Sequence, residues 1–361
     1  MPVPAPRIIA NYLPQYHPIP ENDEWWGPGF TEWTNVARAR PLFRGHQQPN
    51  LPGELGFYDL RLPETRAAQA ALAVAHGVDA FMYWHYWFGR GQRILERPFD
   101  EVLATGEPDF PFCLGWANAD WTGRWYGAPG RILVKQHYLG PDDDEAHFHL
   151  VEPAFHDPRY VRVDGKPLFY LFRADWHPRL RRFVEHWREL ADRSGLPGLH
   201  LVGEFRPDEA VGWSPLRHGL DASVGSTFRA FFGNPHDVGT RARRRLRRPD
   251  RVPYSRGHLQ YPHLHEAGEP SYPVVMSNFD NTPRSGRLGV VLVDAAPALF
   301  EAALQRGFEL AASPQAASPL VFLRSWNEWA EGNYVEPDRR HGRAYLEAVR
   351  RVRGAPVLDD V

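Results

Sequence analysis

The chain has 361 residues, 43% hydrophobic and 24% charged, with a formal net charge of −2. That mixture describes a globular protein with a sizeable core and argues against disorder and against a membrane-spanning bundle. Near-neutral charge removes any general case for a polyanionic partner such as nucleic acid and suits a polar, uncharged one. Cys113 is the only cysteine, which excludes an intramolecular disulfide and a Cys-rich zinc centre. The amino-terminal MPVPAPRII lacks a basic segment followed by a long apolar run, and no later stretch reaches the ~18 to 20 apolar residues of a membrane span. Cytoplasmic residence is the expectation.

Short apolar runs recur along the chain, each closing on polar or aromatic residues. They fall at 7–18, 78–87, 110–118, 166–173, 199–205, 220–228, 272–280 and 319–329. Eight such runs are what a (β/α)8 TIM barrel requires. Helical patterns intervene, with an apolar face at helical spacing over 63–77, closed by Gly77, and another over 177–195. Alternation of strand and helix means parallel β/α architecture. A barrel is preferred to an open sheet because nearly every run ends in residues able to line a site: Tyr16 and His17, His85 and Tyr86, Trp116 and Asn118, Glu204, Asp280, Glu328. Barrel enzymes gather such residues at the carboxyl ends of their strands. No GxGxxG or GxxxxGK[ST] element is present to support a dinucleotide or P-loop fold. The whole of 1–361 is expected to form one barrel, with insertions at about 19–62 and 229–271. The second insertion contains RARRRLRRPDR at 241–251, which reads as an exposed basic surface because it lacks interleaved aromatics.

Residues 325–332, SWNEWAEG, follow the last apolar run and hold Glu328 and Glu331 three positions apart. If this segment turns helically, both carboxyls face one side. Glycoside chemistry needs such a pair, one carboxyl to protonate the departing oxygen and another to act as base or nucleophile. The flanking Trp326 and Trp329 would desolvate a carboxyl and raise its pKa towards that of a general acid. The alternative is a helix start, where acidic residues favour the dipole. Asn327 lies beside the pair as a further candidate contact.

Aromatic side chains interleaved with Asn, Asp, His and Glu also match carbohydrate, whose apolar C–H faces stack on rings while its hydroxyls need polar partners. WANADWTGRWYG at 116–127 supplies this mixture through Trp116, Asn118, Asp120, Trp121 and Trp125, and YWHYW at 83–87 repeats it around His85 and Tyr86. The alternative for each ring is core: Phe81 and Trp84, on a strand, read as core, whereas Trp121, Trp125 and Tyr126, in a Gly-containing loop, read as site. Glu32 and Trp33, in GFTEW at 29–33, join the candidates for sugar contact or support, as do Glu204 and Asp280. No metal is expected. HExxH is absent, Asp142 to Asp144 read as a helix start, and His147 and His149 are two apart and so face opposite sides of a helix.

NYLPQYHPIPENDEWWGPGFTEWTNV at 11–36, VKQHY at 134–138, DGKPLFYLFR at 164–173 and SWNEWAEGNYVEP at 325–337 closely resemble the WbsX-like family of bacterial surface-polysaccharide clusters. That family is in turn similar to family 99 glycoside hydrolases, the endo-α-mannosidases and mannanases. The resemblance implies a (β/α)8 barrel acting on α-linked manno- or rhamno-configured sugars, with no cofactor and no metal. Carried over from the family 99 element NEWxEG, Glu328 would deprotonate the substrate's own 2-hydroxyl, giving a 1,2-anhydro sugar, and Glu331 would be general acid and then base. Three functions therefore stand: a retaining glycosidase-type enzyme, a glycosyltransferase of O-antigen or surface-polysaccharide synthesis, and a non-catalytic carbohydrate-binding barrel.

Overall fold

The computed structural model describes residues 5–123, 131–206, 212–225, 248–265 and 268–354. Eight parallel strands form the centre: β1 (Arg7–Tyr12), β2 (Ala80–His85), β3 (Phe112–Trp116), β4 (Lys166–Leu171), β5 (His200–Phe205), β6 (Ala222–Gly225), β7 (Val274–Met276) and β8 (Leu320–Arg324). Their order is that of the chain, with β8 lying between β1 and β7. The β6–β7 seam is bridged just before β7, where Ser223 N–H donates to Pro270 O at 3.0 Å and Tyr272 N–H donates to Ser223 O at 2.9 Å. This is the nearly closed (β/α)8 barrel that the eight apolar runs predict.

The strands are almost wholly buried because helices cover the outside and side chains fill the inside, which is why they read as continuous apolar runs and not as alternating ones. Tyr12 packs on Phe81 with ring centroids 5.0 Å apart, Phe81 on Trp326 at 4.9 Å and Tyr170 on Phe322 at 5.2 Å, so the interior is solid. Outside, a helix over Pro63–His76 begins on Pro63 and stops at Gly77, whose φ of +82° supplies the left-handed cap. The helix over Leu180–Arg193 realises the second predicted helical face. Another, over Pro297–Ala311, lies so close to the barrel that a Cβ on Gly307 would sit 2.6 Å from Val275 Cγ2. Among the described residues no helix is long and apolar enough to cross a membrane.

The excursion after β1 is structured, holding short helices over Pro20–Trp26 and Glu32–Arg38. Of the basic run 241–251 only Arg248 onward is described; its end enters a strand over Asp250–Pro253, paired in parallel with Val290–Val293.

Candidate active site

The segment after β8 does not form an ordinary helix. Asn327–Glu328 pairs antiparallel with Asn333–Tyr334, and Trp329–Glu331 makes one 3-10 turn between them. Gly332 closes the turn at φ +60°, with Asp280 so near that an added Cβ would lie 3.0 Å from its Cβ. Asp280 N–H donates to Glu331 O at 2.6 Å. Both carboxyls nevertheless meet one cation. Arg284, on the short helix Thr282–Ser285, donates through Nη1 to Glu331 at 2.6 Å and through Nη2 to Glu328 at 3.2 Å. The same Nη2 also donates to Glu32, the first residue of the helix Glu32–Arg38. Three carboxyls from two distant parts of the chain thus surround one guanidinium.

The three differ in access. Side-chain exposure is 1% for Glu32, 11% for Glu328 and 18% for Glu331, so only the last two can meet a ligand without rearrangement. Burial, then the charge of Glu331, pushes the Glu328 carboxyl up to about 8 against the pull of Arg284. Burial likewise raises Glu32, opposed by Arg284. Among its carboxylate neighbours the Arg284 guanidinium keeps its proton more firmly than usual, despite burial that works the other way.

Behind the carboxyls the candidates Tyr16, Trp33, Asn327 and Trp329 form a support. Asn327 donates from its side chain to Leu13 O at 3.1 Å and accepts Leu13 N–H at 2.7 Å. Tyr16 donates to Asn327 O and accepts Trp329 N–H at 3.3 Å. Trp33 packs on Trp329 with centroids 5.4 Å apart, and Trp329 stacks on Tyr334 at 3.8 Å. A buried carboxyl that sequence reasoning missed, Glu336, collects Trp329 Nε1–H at 2.6 Å, Tyr58 O–H at 2.9 Å and Gln69 Nε2–H at 2.6 Å. Burial still pushes it up to about 7.

Tyr86 stands beside the cluster: burial and the charge of Glu328 both raise its hydroxyl. Half-buried Trp121 meets its ring edge-on at 5.2 Å. These two extend the site towards β2 and β3. Trp125 and Tyr126 lie outside the described residues.

Other candidates are placed in the frame. His85 and His147 face each other at 2.9 Å between ring nitrogens, under Trp87 and Trp116. Burial drives the pKa of His85 down to about 3 and that of His147 well below normal, so this pair stays neutral. Trp116 is fully packed and donates to Trp87 O at 3.0 Å, while Trp326 is enclosed against Phe81. Asn118 donates to Arg173 O at 2.9 Å and accepts Arg173 N–H at 2.9 Å, and Asp120 accepts Gln136 N–H at 2.7 Å. His17, buried and with its pKa lowered by that burial, turns Nδ1 to Pro14 O at 3.1 Å. Glu204 pairs with Arg324 and accepts Tyr170 O–H at 2.6 Å. Asp280 is a strut: it accepts His46 and Gln48 at 2.8 and 2.7 Å and caps Thr282 through its N–H at 3.0 Å, fixing the turn that carries Arg284. Most of these polar atoms are bonded within the protein, although the Asp120 side chain is 32% exposed and His17 Nε2 is buried without a hydrogen-bond partner among the described residues.

A cavity of about 390 Å³ opens at the opposite, amino-terminal end of the barrel, lined by Arg7, Asp79, Tyr160 and Arg162. It lies remote from the carboxyls and brings no nucleophile or acid–base pair together. Among the described residues no group of three or more His, Cys, Asp or Glu is arranged to hold a metal ion.

Comparison with known proteins supplies further findings. The family model described as "Glycosyltransferase WbsX" matches residues 8–349. Two curated proteins from Xanthomonas campestris pv. campestris, both called "Uncharacterized protein WxcX", are 40% identical over 355 residues, 95% of this chain. That match covers 49% of their length, so the chain spans about half of the curated relatives it matches. Among solved structures, a "Glycoside hydrolase-like protein" superposes with a TM-score of 0.63 at 13% identity, covering 98% of this chain and 96% of that one. The GH99 endo-alpha-mannosidase from Bacteroides thetaiotaomicron superposes with a TM-score of 0.54 at 16% identity, covering 96% of each. At such identities the likeness is one of fold.

Proposed function

From the premise that the chain belongs to the WbsX family, we propose that it is a carbohydrate-active enzyme of retaining glycosidase type, acting on an α-linked manno- or rhamno-configured glycan. The observation that carries this reading is the pair Glu328 and Glu331, partly accessible at the barrel mouth and bridged by Arg284. Half-buried Trp121, packed edge-on against the buried Tyr86 ring, offers neutral aromatic surface suited to a sugar ring.

In the proposed reaction Glu328 removes the proton of the substrate's 2-hydroxyl, and O2 attacks C1 as the glycosidic bond breaks. Glu331 gives its proton to the leaving oxygen. The product of this half is a 1,2-anhydro sugar. Water then attacks C1, yielding its proton to Glu331, while O2 recovers its proton from Glu328; two inversions leave the configuration retained. The more accessible carboxyl, Glu331, has the role that must exchange protons with the leaving group and with water.

The pH profile tests this division of labour. A base must be ionised, and Glu328 ionises as pH rises through about 8 in the empty site. The expected kcat/KM on a cleaved glycan therefore climbs towards pH 8. A fall through the same range would make Glu328 the acid and reverse the assignment. Unchanged turnover in both Glu328→Gln and Glu331→Gln would remove the glycosidase reading altogether.

The family's description favours a second reading, a glycosyltransferase of surface-polysaccharide assembly. Saturable calorimetric binding of a nucleotide sugar or a lipid-linked sugar would support it, and no heat from either would count against it.

A further inference from the structure

We propose that Arg284 is the positioning residue of the carboxyl pair: its guanidinium, anchored on Glu32, holds Glu328 and Glu331 at one fixed spacing and restricts the reacting sugar to one without a negative charge. This rests on the glycosidase-type reading of the same site and goes beyond the two glutamates.

The geometry divides the guanidinium between partners. Nη1 serves Glu331 at 2.6 Å, and Nη2 serves Glu328 at 3.2 Å together with Glu32. Its side chain is only 8% exposed and Glu32 only 1%. A buried charge this enclosed needs paired partners, and here the partners are the groups expected to react. Arg284 is also fixed from behind: Asp280 caps its helix at Thr282, and the Asp280 N–H holds Glu331 O, so cation and acid share one strut. Among the described residues Tyr86 and Tyr16 also sense the cluster, both held neutral by burial and by these carboxylates. Arg284 pulls Glu328 towards ionisation while burial and Glu331 push it away, so loss of the guanidinium leaves only the upward forces.

Substrate charge follows from the same count. In the form the proposed first step requires, with Glu331 protonated and Glu328 ionised, Glu32 and Glu328 set two negative charges against the one guanidinium. A uronate or phosphate on the reacting sugar would meet repulsion, because Arg284 is already committed to the protein's own carboxyls.

Replacement by Gln, Lys and Ala tests the proposal. In Arg284→Gln, kcat/KM is expected to fall by about 100-fold, the scale of lost positioning, and its rising pH limb to move to higher pH. Arg284→Lys should keep the limb nearer its original place, since charge survives without the fork. Added guanidinium ion should restore part of the activity of Arg284→Ala. Carboxyl carbon NMR, with the Glu328 signal assigned by its loss in Glu328→Gln, gives a readout that needs no turnover. The Glu328 titration should move upward in Arg284→Gln. An unmoved titration in folded Arg284→Gln, or in folded Arg284→Ala if Gln fails to fold, overturns the positioning role even where the glycosidase reading stands. A moved titration in a protein that cleaves no glycan upholds the positioning role and defeats that reading. Equal turnover of a neutral glycan and its uronate counterpart overturns the charge restriction.

Discussion

Two sectors of the barrel mouth look alike in sequence and differ in physics. One lies past β2 and β3, where His85, Trp87 and Trp116 meet His147; the other lies past β1 and β8, where Glu32, Glu328 and Glu331 meet Arg284. Each mixes rings with titratable groups. In the first, burial removes charge, and two neutral imidazoles satisfy one another. In the second, burial acts on carboxyls that retain a cation, and one of them is poised near neutrality. Aromatic and polar residues at a strand end are thus insufficient to mark a site. A buried cation shared by partly accessible carboxyls distinguishes the second sector from the first.

The strongest way to break this contrast is Glu331→Gln, expected to lower kcat/KM on a cleaved glycan by about 10³-fold or more, with Glu328→Gln close behind. The melting temperature of Glu328→Gln sharpens it. Because the folded pKa of Glu328 lies above the ordinary 4.5, the folded state holds the extra proton between about 4.5 and 8 and loses stability as pH rises through that window. Glu328→Gln abolishes the titration, so its melting point relative to the parent should be higher at pH 8.5 than at pH 5. A difference that is flat with pH would refute the raised carboxyl. Glu336→Leu removes the acceptor of three buried donors and is expected to cost about 2–3 kcal/mol in denaturant melts, with activity falling as Trp329 loosens. Smallest is His147→Phe. It should destabilise by about 1–2 kcal/mol through the orphaned His85 nitrogen and leave kcat/KM within about threefold; a large loss of activity would place the histidine sector in the reaction.

The barrel was readable because its strands are buried on both faces and therefore stand out as apolar runs, all eight of which coincide with strands. Nothing in GFTEW foretold that Glu32 meets the pair, whereas Glu328 and Glu331 were readable as neighbours from their place after the last run. Arg284 was not. It sits in TPRSG, a turn-like stretch, and its partners are 252, 44 and 47 positions away, a meeting that only closure of the barrel creates. Glu336 escaped for the same reason, since its donors come from positions 58, 69 and 329. In the histidine sector, residue type reveals capacity for hydrogen bonding, and only the fold shows that His85 and His147 use it on each other. The helical turn expected after Asn327 became a tight hairpin, Gly332 allowing the chain to double back against Asp280.

Asn327 carries one last consequence. Its amide both donates to and accepts from the backbone of Leu13, as a peptide group on an adjoining strand would. A side chain thereby adds a rung to the β1–β8 ladder beyond the point where the strands part. The residue immediately before Glu328 is in effect sheet, and the proposed base is attached to the barrel wall by a single covalent step. Precision at the carboxyl is inherited from the barrel wall, whereas the loops beyond it can vary with the glycan they must admit.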